Sequence, residues 1–300
     1  MRVLVAGRRG QLATALIERL PRDGHEVVAL GRPDLDLTER DSILRAIEAN
    51  SPDAVVNAAA YTAVDRAEED RDLAFAVNTI GPAMLAAACA GRDLPFLHIS
   101  TDYVFPGEGG APYDEEAEPA PLGTYGASKL AGERAAMAAN PRTAVIRTAW
   151  LCGPEGSNFV KTMLRLGEER ETVSVVADQK GAPTFAADLA AAIALMLPRL
   201  VAAPAGDAGF GVFHLTGAPH TTWHGFAEAI FEGAAARGRK VPRLSAITTA
   251  EYPTPARRPP DGRLNCGRIL QVHGIRPADW RESLARCLDE LIGPITKDQA

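Results

Sequence analysis

The sequence has only four cysteines in 300 residues, Cys89, Cys152, Cys266 and Cys287, and no CxxC pair among them. That scarcity excludes a disulfide framework and points to reduced core thiols. Neither sign of charge is in large excess: 32 basic residues stand against 38 acidic ones, for a formal net charge of -6. No broad positive field is available to hold a phosphate backbone, so no nucleic-acid partner is expected. No uninterrupted apolar run approaches the roughly 18 residues of a membrane span. Residues 1–6 run straight into a strand pattern without a signal peptide's cationic and apolar regions, so no membrane partner is expected and the cytoplasm is the expected compartment. What remains, 46% hydrophobic and 23% charged residues, is the ordinary globular range and excludes disordered, collagen-like and coiled-coil chains. His220 and His224 have the spacing of two zinc ligands on one helical face, but no further ligand lies nearby in the sequence and no metal site is predicted.

Apolar runs alternate with helix-period segments from the start. Strands are predicted at 3–6, 27–30, 54–57, 95–100 and 144–147, with helices at 11–20, 39–50, 73–90 and 125–139 between them. Strands hydrophobic along their whole length are buried on both faces, so this alternation predicts an α/β fold, a Rossmann-like doubly wound parallel sheet covered by helices. After Trp150 the rhythm loosens, with helices at 158–169, 186–197, 222–237 and 280–291 and strands at 173–176 and 212–215. Residues 1–150 are therefore expected to form the dinucleotide-binding domain, and 151–300 a smaller mixed C-terminal substrate lobe interleaved with the last strands of the sheet. Two long loops, 105–122 and 248–265, exceed the length of ordinary connections and are expected to serve function. The acidic cluster Asp114, Glu115, Glu116 and Glu118 reads as a solvated face.

Two constellations carry chemistry. The first is Gly7-Arg8-Arg9-Gly10-Gln11-Leu12-Ala13, directly after the first strand and opening the first helix. Glycines there permit the tight turn and close backbone approach, while the helix N-terminus offers free N–H groups to a pyrophosphate. At the end of the second strand, where an NAD site usually carries an acidic residue, this chain has Gly31 and Arg32, which favours NADPH with NADH tolerated. Asp36 and Leu37 would border the adenine, though Asp36 would equally cap the helix that follows.

The second constellation is Tyr125-Gly126-Ala127-Ser128-Lys129. Tyrosine and lysine are both scarce, five of each, and one helical turn sets this pair on one face, where the ammonium is expected to lower the phenol's pKa. The pair opens the helix after a strand ending in Ser100, Thr101 and Asp102, so hydroxyls at the strand's carboxyl end face the tyrosine across the nucleotide crevice.

On these residues the chain resembles the extended short-chain dehydrogenase/reductase family. The segments 56–65 (VNAAAYTAVD), 100–105 (STDYVF), 178–184 (DQKGAPT) and 253–259 (PTPARRP) narrow the resemblance to its dTDP-4-dehydrorhamnose reductase branch, over most of the chain. The resemblance implies an NADPH- or NADH-dependent oxidoreductase that reduces the C4 ketone of dTDP-4-dehydro-6-deoxy-L-mannose to give dTDP-L-rhamnose. It implies Tyr125 as acid, Lys129 as its partner at the nicotinamide ribose, and Thr101 as a hydrogen-bond partner of the substrate oxygen or the phenol. By the same resemblance Gly7, Gly10, Gln11 and Leu12 hold the pyrophosphate, and Ala60, Tyr61, Thr62 and Ile99 line the cofactor. Thr101, Asp102, Tyr103 and Trp150 contact the sugar, with Trp150 as a core aromatic the alternative. Arg257 and Arg258 meet the nucleotide diphosphate, unless their loop is simply solvated. Family members can dimerise, so a homodimer is the implied assembly. Gly31 replaces an acidic residue of some members, and Gly262 stands where the family tends to have serine. A catalytically silent NADP-binding regulatory subunit, and a related sugar-nucleotide epimerase or dehydratase, stay open as other readings.

Overall fold

The first half of the chain follows the alternation read from its apolar runs. The computed structural model describes residues 1–109 and 112–295, so residues 110 and 111 of the first long loop and 296–300 of the expected substrate lobe lie outside the described residues. In order come β1 (Arg2–Ala6), α1 (Gln11–Arg22), β2 (Glu26–Leu30), α2 (Arg40–Asn50), β3 (Ala54–Asn57), α3 (Arg71–Phe75), α4 (Gly81–Ala90), β4 (Phe96–Thr101), α5 (Thr124–Ala139) and β5 (Thr143–Thr148). The second half supplies β6 (Leu151–Cys152), α6 (Phe159–Glu169), β7 (Thr172–Val176), β8 (Lys180–Gly181), β9 (Thr184–Phe185), α7 (Ala186–Ala202) and β10 (Gly211–His214). It ends with β11 (Thr221–Thr222), α8 (Trp223–Ala235), β12 (Arg243–Ile247), α9 (Gly267–His273) and α10 (Trp280–Ile292). The sequence pattern missed β12 and α9. The first pairs only with β7 and is half wetted; the second is two turns long, too short to show a period.

Six strands form one parallel sheet in the order β2-β1-β3-β4-β5-β10. The order reverses between β1 and β3, so a crevice opens there at the carboxyl ends of the strands. One face of the sheet packs Leu12, Leu16 and Leu20 of α1 against Leu189, Ile193, Met196 and Leu197 of α7, together with Phe213 of β10. The other face holds Ile43 and Ile47 of α2 with Leu85, Ala86 and Cys89 of α4. Each leucine, isoleucine, methionine or phenylalanine among them contributes about 1.5–3 kcal/mol when fully buried. A separate core, with Phe226, Ile230, Trp280 and Leu284 at its centre, holds α6, α8 and α10 together above the carboxyl edge.

The helix predicted at 73–90 starts at Arg71 and contains a π turn at Ala76–Ile80 between α3 and α4. By length and composition alone 71–90 would also pass for a membrane span, yet Ala74, Asn78, Leu85, Ala86 and Cys89 are buried within the protein. Helix α5 lies directly on the π turn, because a Cβ at Gly132 would collide with the Asn78 carbonyl oxygen. In a free helix Gly→Ala stabilises by about 1 kcal/mol. Here Gly132→Ala is expected to destabilise instead, by about 1–3 kcal/mol of overpacking, read as a lower urea midpoint; a raised midpoint would refute the contact.

All four cysteines are free, three of them buried. In the acidic cluster Asp114, Glu116 and Glu118 are exposed, as a solvated face requires, and Glu115 alone departs from it. Glu115 is half-buried and accepts the His214 backbone N–H at 2.9 Å, while Glu116 pairs with Arg268 at 3.2 Å, so the loop is pinned to β10 and α9. Among the described residues no group of three or more His, Cys, Asp or Glu is arranged to hold a metal. His220 Nε2 faces the Leu264 carbonyl, and His224 faces Glu228.

Candidate active site

The glycine turn sits at the point where strand order reverses. Gly7 has φ +120°, a region that only glycine enters freely, and its N–H donates to Leu30 O at 2.7 Å. A Cβ there would lie 3.4 Å from the Ala59 nitrogen. Gly10 is the N-cap of α1 and supplies no side-chain cap, so the first-turn N–H groups face the crevice unclaimed by any side chain. Leu12 turns its side chain into the core. Gln11 instead ties α1 to the upper lobe, donating to Leu151 O at 3.3 Å and accepting from Asn158 Nδ2 at 2.9 Å.

At the end of β2, Gly31 lies flush against the Arg8 side chain. Arg8 donates to Asp34 at 3.1 Å and to Arg32 O at 3.0 Å, leaving the Arg32 side chain exposed. Asp36 does not cap α2, whose N-cap is Glu39. Its carboxylate closes a turn on the Thr38 N–H and hydroxyl, and the Thr38 N–H in particular holds it below the usual carboxylate range. Leu37 packs its side chain into the core against Gly81.

The loop after β3 is clamped from two sides. Asn57 Oδ1 accepts the Ala59 N–H at 3.1 Å. Asn78, in the π turn, accepts from Tyr61 N at 2.8 Å and donates to Tyr61 O at 3.0 Å and Ser128 Oγ at 3.1 Å. Ala60, Tyr61 and Thr62 therefore border the crevice in a set geometry, with the Tyr61 hydroxyl donating to Asp70 at 2.7 Å.

Across the crevice α5 is placed by glycine and by a borrowed cap. Glu68 accepts from Thr124 N at 2.8 Å and Thr124 Oγ1 at 3.0 Å, doing for the helix start what Gly123 has no side chain to do. At Gly126 a Cβ would overlap the Tyr103 carbonyl, so only glycine lets α5 meet the end of β4 this closely. Tyr125 is thereby brought to the end of β4, where its ring sits edge-to-face on Tyr103 at 5.6 Å and the Thr101 hydroxyl acts on its phenol. Thr101 Oγ1 also donates to Asp102 Oδ1 at 3.1 Å and accepts from Tyr103 N at 3.2 Å.

The charges differ from the sequence expectation. Burial pushes the Tyr125 phenol up to about 12, opposed by the Thr101 hydrogen bond. Lys129 is not among the groups that lower it; its Nζ is engaged instead by the Ile99 carbonyl at 2.6 Å and by His98 Nε2 at 3.3 Å. Burial brings Lys129 down to about 8, against the pull of the Glu133 carboxylate. Burial likewise lifts Asp102 to about 7.

Beside Asp102 lies a small space of about 10 Å³ bounded by Tyr103, Trp150, Lys180, Trp223, Arg258 and Gly262, room for about one water. A Cβ at Gly262 would collide with Asp102 Oδ2, so glycine in place of serine is what makes room for this carboxyl. Trp150, with φ +47°, stacks on Trp223 with ring centroids 3.7 Å apart. Holding a tryptophan in the left-handed region costs about 1–3 kcal/mol, so the fold places this ring beside the Asp102 space against local preference.

Arg257 is exposed, while Arg258 is engaged: it forms a two-point pair with Asp65 at 3.1 and 2.8 Å and donates to Ala256 O. Past it a cleft of about 620 Å³ runs between α6 and β7, lined by Phe159, Arg165, Arg170, Val175 and Tyr252. Sequence reading missed Asn57, Asp65, Glu68, Asn78, His98 and Trp223 as members of this site. The one signal available was His98, a lone polar residue inside the apolar strand Phe96-Leu97-His98-Ile99.

Residues 1–292 match the family model described as the RmlD substrate binding domain. The chain is 43% identical over 293 residues to a dTDP-4-dehydrorhamnose reductase of Sinorhizobium fredii, covering 97% of this chain and 98% of that one. Among solved structures, a dTDP-4-dehydrorhamnose reductase of Clostridium acetobutylicum superposes with a TM-score of 0.90 at 37% identity, covering 97% of this chain and 99% of that one. A dTDP-4-dehydrorhamnose reductase of Bacillus anthracis, solved in complex with NADP, gives 0.87 at 36% identity, covering 96% and 99%.

Proposed function

The chain belongs to the RmlD substrate-binding-domain family, and from that premise we propose that it is an NAD(P)H-dependent dTDP-4-dehydrorhamnose reductase. It reduces dTDP-4-dehydro-6-deoxy-L-mannose to dTDP-L-rhamnose, the last step of dTDP-rhamnose biosynthesis. The observation that carries the reading is the close seat of α5 at Gly126, which sets Tyr125 against Tyr103 at the carboxyl end of β4, in the same crevice as the glycine turn.

A nicotinamide dinucleotide fits this edge of the sheet. Gly7 leaves no side chain between turn and crevice, the start of α1 is uncapped, and Gly31 keeps the end of β2 low. When bound, it supplies the hydride. Gly7, Gly10 and the main chain of Gln11 and Leu12 hold its pyrophosphate; Ala60, Tyr61, Thr62 and Ile99 line its remaining length. No carboxylate stands at Gly31, and Arg8 and Arg32 flank it, so NADPH is preferred to NADH.

Tyr125 Oη holds the proton that the C4 oxygen of the sugar takes up, and its high pKa keeps that proton in place until an alkoxide develops. Thr101 orients the phenol. Asp102, buried and raised to about 7, exchanges hydrogen bonds with a sugar hydroxyl in either protonation state. The Trp150–Trp223 stack walls the sugar in and excludes water. Arg258, already fixed by Asp65, and the cleft between α6 and β7 receive the nucleotide end, since a guanidinium fork matches phosphate oxygens. A cytoplasmic homodimer is the setting we assign to it.

Oxidation of NADPH and NADH with substrate made in situ by the upstream dehydratase and epimerase tests the reading. Oxidation that requires the complete mixture, faster with NADPH, is expected. Cofactor binding without oxidation would overturn it in favour of a silent regulatory subunit, and NAD retained through purification would favour an epimerase or dehydratase.

A further inference from the structure

Asn57 and His98 are cross-strand neighbours in the pairing of β3 with β4, and both are buried. Their hydrogen bonds form one chain. Nδ1 of His98 lies 3.1 Å from Asn57 Nδ2, and Nε2 lies 3.3 Å from Lys129 Nζ. The backbone N–H of Ala59 only donates, and its acceptor is Asn57 Oδ1, so the Asn57 amide must turn its NH₂ toward His98. Nδ1 is then the accepting nitrogen. Burial keeps the imidazole neutral, so its single proton sits on Nε2 and is aimed at Lys129. An ammonium has no lone pair and would set N–H against N–H. A neutral amine accepts that proton's hydrogen bond while still donating to Ile99 O at 2.6 Å.

We propose that His98 and Asn57 form a tautomeric switch that positions and responds to Lys129: the Nε2–H imidazole holds the lysine as an amine, and the Nδ1–H imidazole accepts its ammonium. This inference rests on the reading of Tyr125 as the acid and of Lys129, one helical turn away, as the residue that meets the nicotinamide ribose, and both switch residues act through the lysine as positioning residues. Moving the imidazole proton to Nδ1 requires the Asn57 amide to turn over, which releases the Ala59 N–H. Ala59 leads into Ala60, Tyr61 and Thr62, so the charge on Lys129 is tied to the conformation of the loop that lines the cofactor.

The other charged and titratable groups around Lys129 do not replace this contact. Glu133, one turn along α5, favours the ammonium, but it is held by Arg147 of β5 and by Ser100 of β4. Tyr125, one turn back, is a phenol that burial keeps protonated and uncharged. From β3 only the neutral Asn57 enters.

Nitrogen-15 NMR of histidine-labelled full-length protein, without ligand, reads the switch directly; the resonance that disappears in His98→Phe identifies the residue. The expected result is an Nε2–H ring at alkaline pH that passes to Nδ1–H as pH falls through the lysine's titration. A tautomer that does not change over that range overturns the proposal, whether or not the protein proves to be a reductase. In the reaction, Asn57→Asp keeps an oxygen for Ala59 and leaves only acceptors facing Nδ1, so the alkaline limb of kcat/KM is expected to move up by about one pH unit or more. In the His98→Phe background the same substitution should move it clearly less. Equal shifts in the two backgrounds mean charge alone, and overturn the proposal.

Discussion

Tyr125→Phe is expected to lower turnover by about 10²–10⁴-fold while leaving NADPH affinity close to that of the unchanged protein. The substitution removes one oxygen and keeps the ring, which remains supported edge-on by Tyr103, 5.6 Å away. Nothing in the glycine turn, the Asn57 and Asn78 clamps or the end of β2 depends on that oxygen, so the cofactor site is left standing. What disappears is the phenol hydroxyl on which Thr101 acts, and with it the proton proposed for the C4 oxygen. Single-turnover kinetics with NADPH would show the loss in the chemical step. Turnover at the original rate would remove Tyr125 from the mechanism.

Glu133→Gln is expected to destabilise the fold by about 3–5 kcal/mol, the cost of leaving one member of a buried ion pair without its partner. Arg147 donates to both Glu133 oxygens, at 2.7 to 3.1 Å, with side-chain exposures of 5% and 1%, and Ser100 donates to the same carboxylate. Without that charge the guanidinium keeps one uncharged amide oxygen, the Phe105 ring, 5.1 Å from its centre, and His214, which burial and Arg147 itself hold at about 3 and hence neutral. Urea denaturation measures the loss. The double substitution Glu133→Gln with Arg147→Met should recover a large part of it, because the stranded charge is gone; a double variant no more stable than the single one would show that something other than that charge sets the cost. Glu133 also favours the ammonium of Lys129. Its removal should therefore move the lysine's titration, and with it the alkaline limb of activity, to lower pH, the opposite direction from Asn57→Asp.

The parts of the site legible in sequence are those made by neighbours along the chain. The glycine turn, its strand and its helix lie within 22 residues, and Tyr125 and Lys129 are one helical turn apart. Where reading along the chain went astray, a distant partner was responsible. Lys129 was expected to acidify Tyr125, but β4 offers it the Ile99 carbonyl and His98. Arg257 and Arg258 look equivalent in sequence, and only the fold gives Asp65 to the second and solvent to the first. Glu115 looks like its acidic neighbours until the His214 N–H claims it.

The amino-acid sequence by itself determined the alternation of strands and helices, the place of the glycine turn between β1 and α1 and the one-turn spacing of Tyr125 and Lys129, because period and motif are properties of residues close in the chain. The tertiary structure alone decided that β10 completes the sheet beside β5, that Trp223 backs Trp150, that Arg258 is tied to Asp65, and that Asn57, His98 and Lys129 share one buried hydrogen-bond chain. These partners lie from 31 to 193 residues apart, a separation that carries no periodic signal. They meet because burial leaves each polar group to find its hydrogen bonds among whatever the packed elements bring beside it.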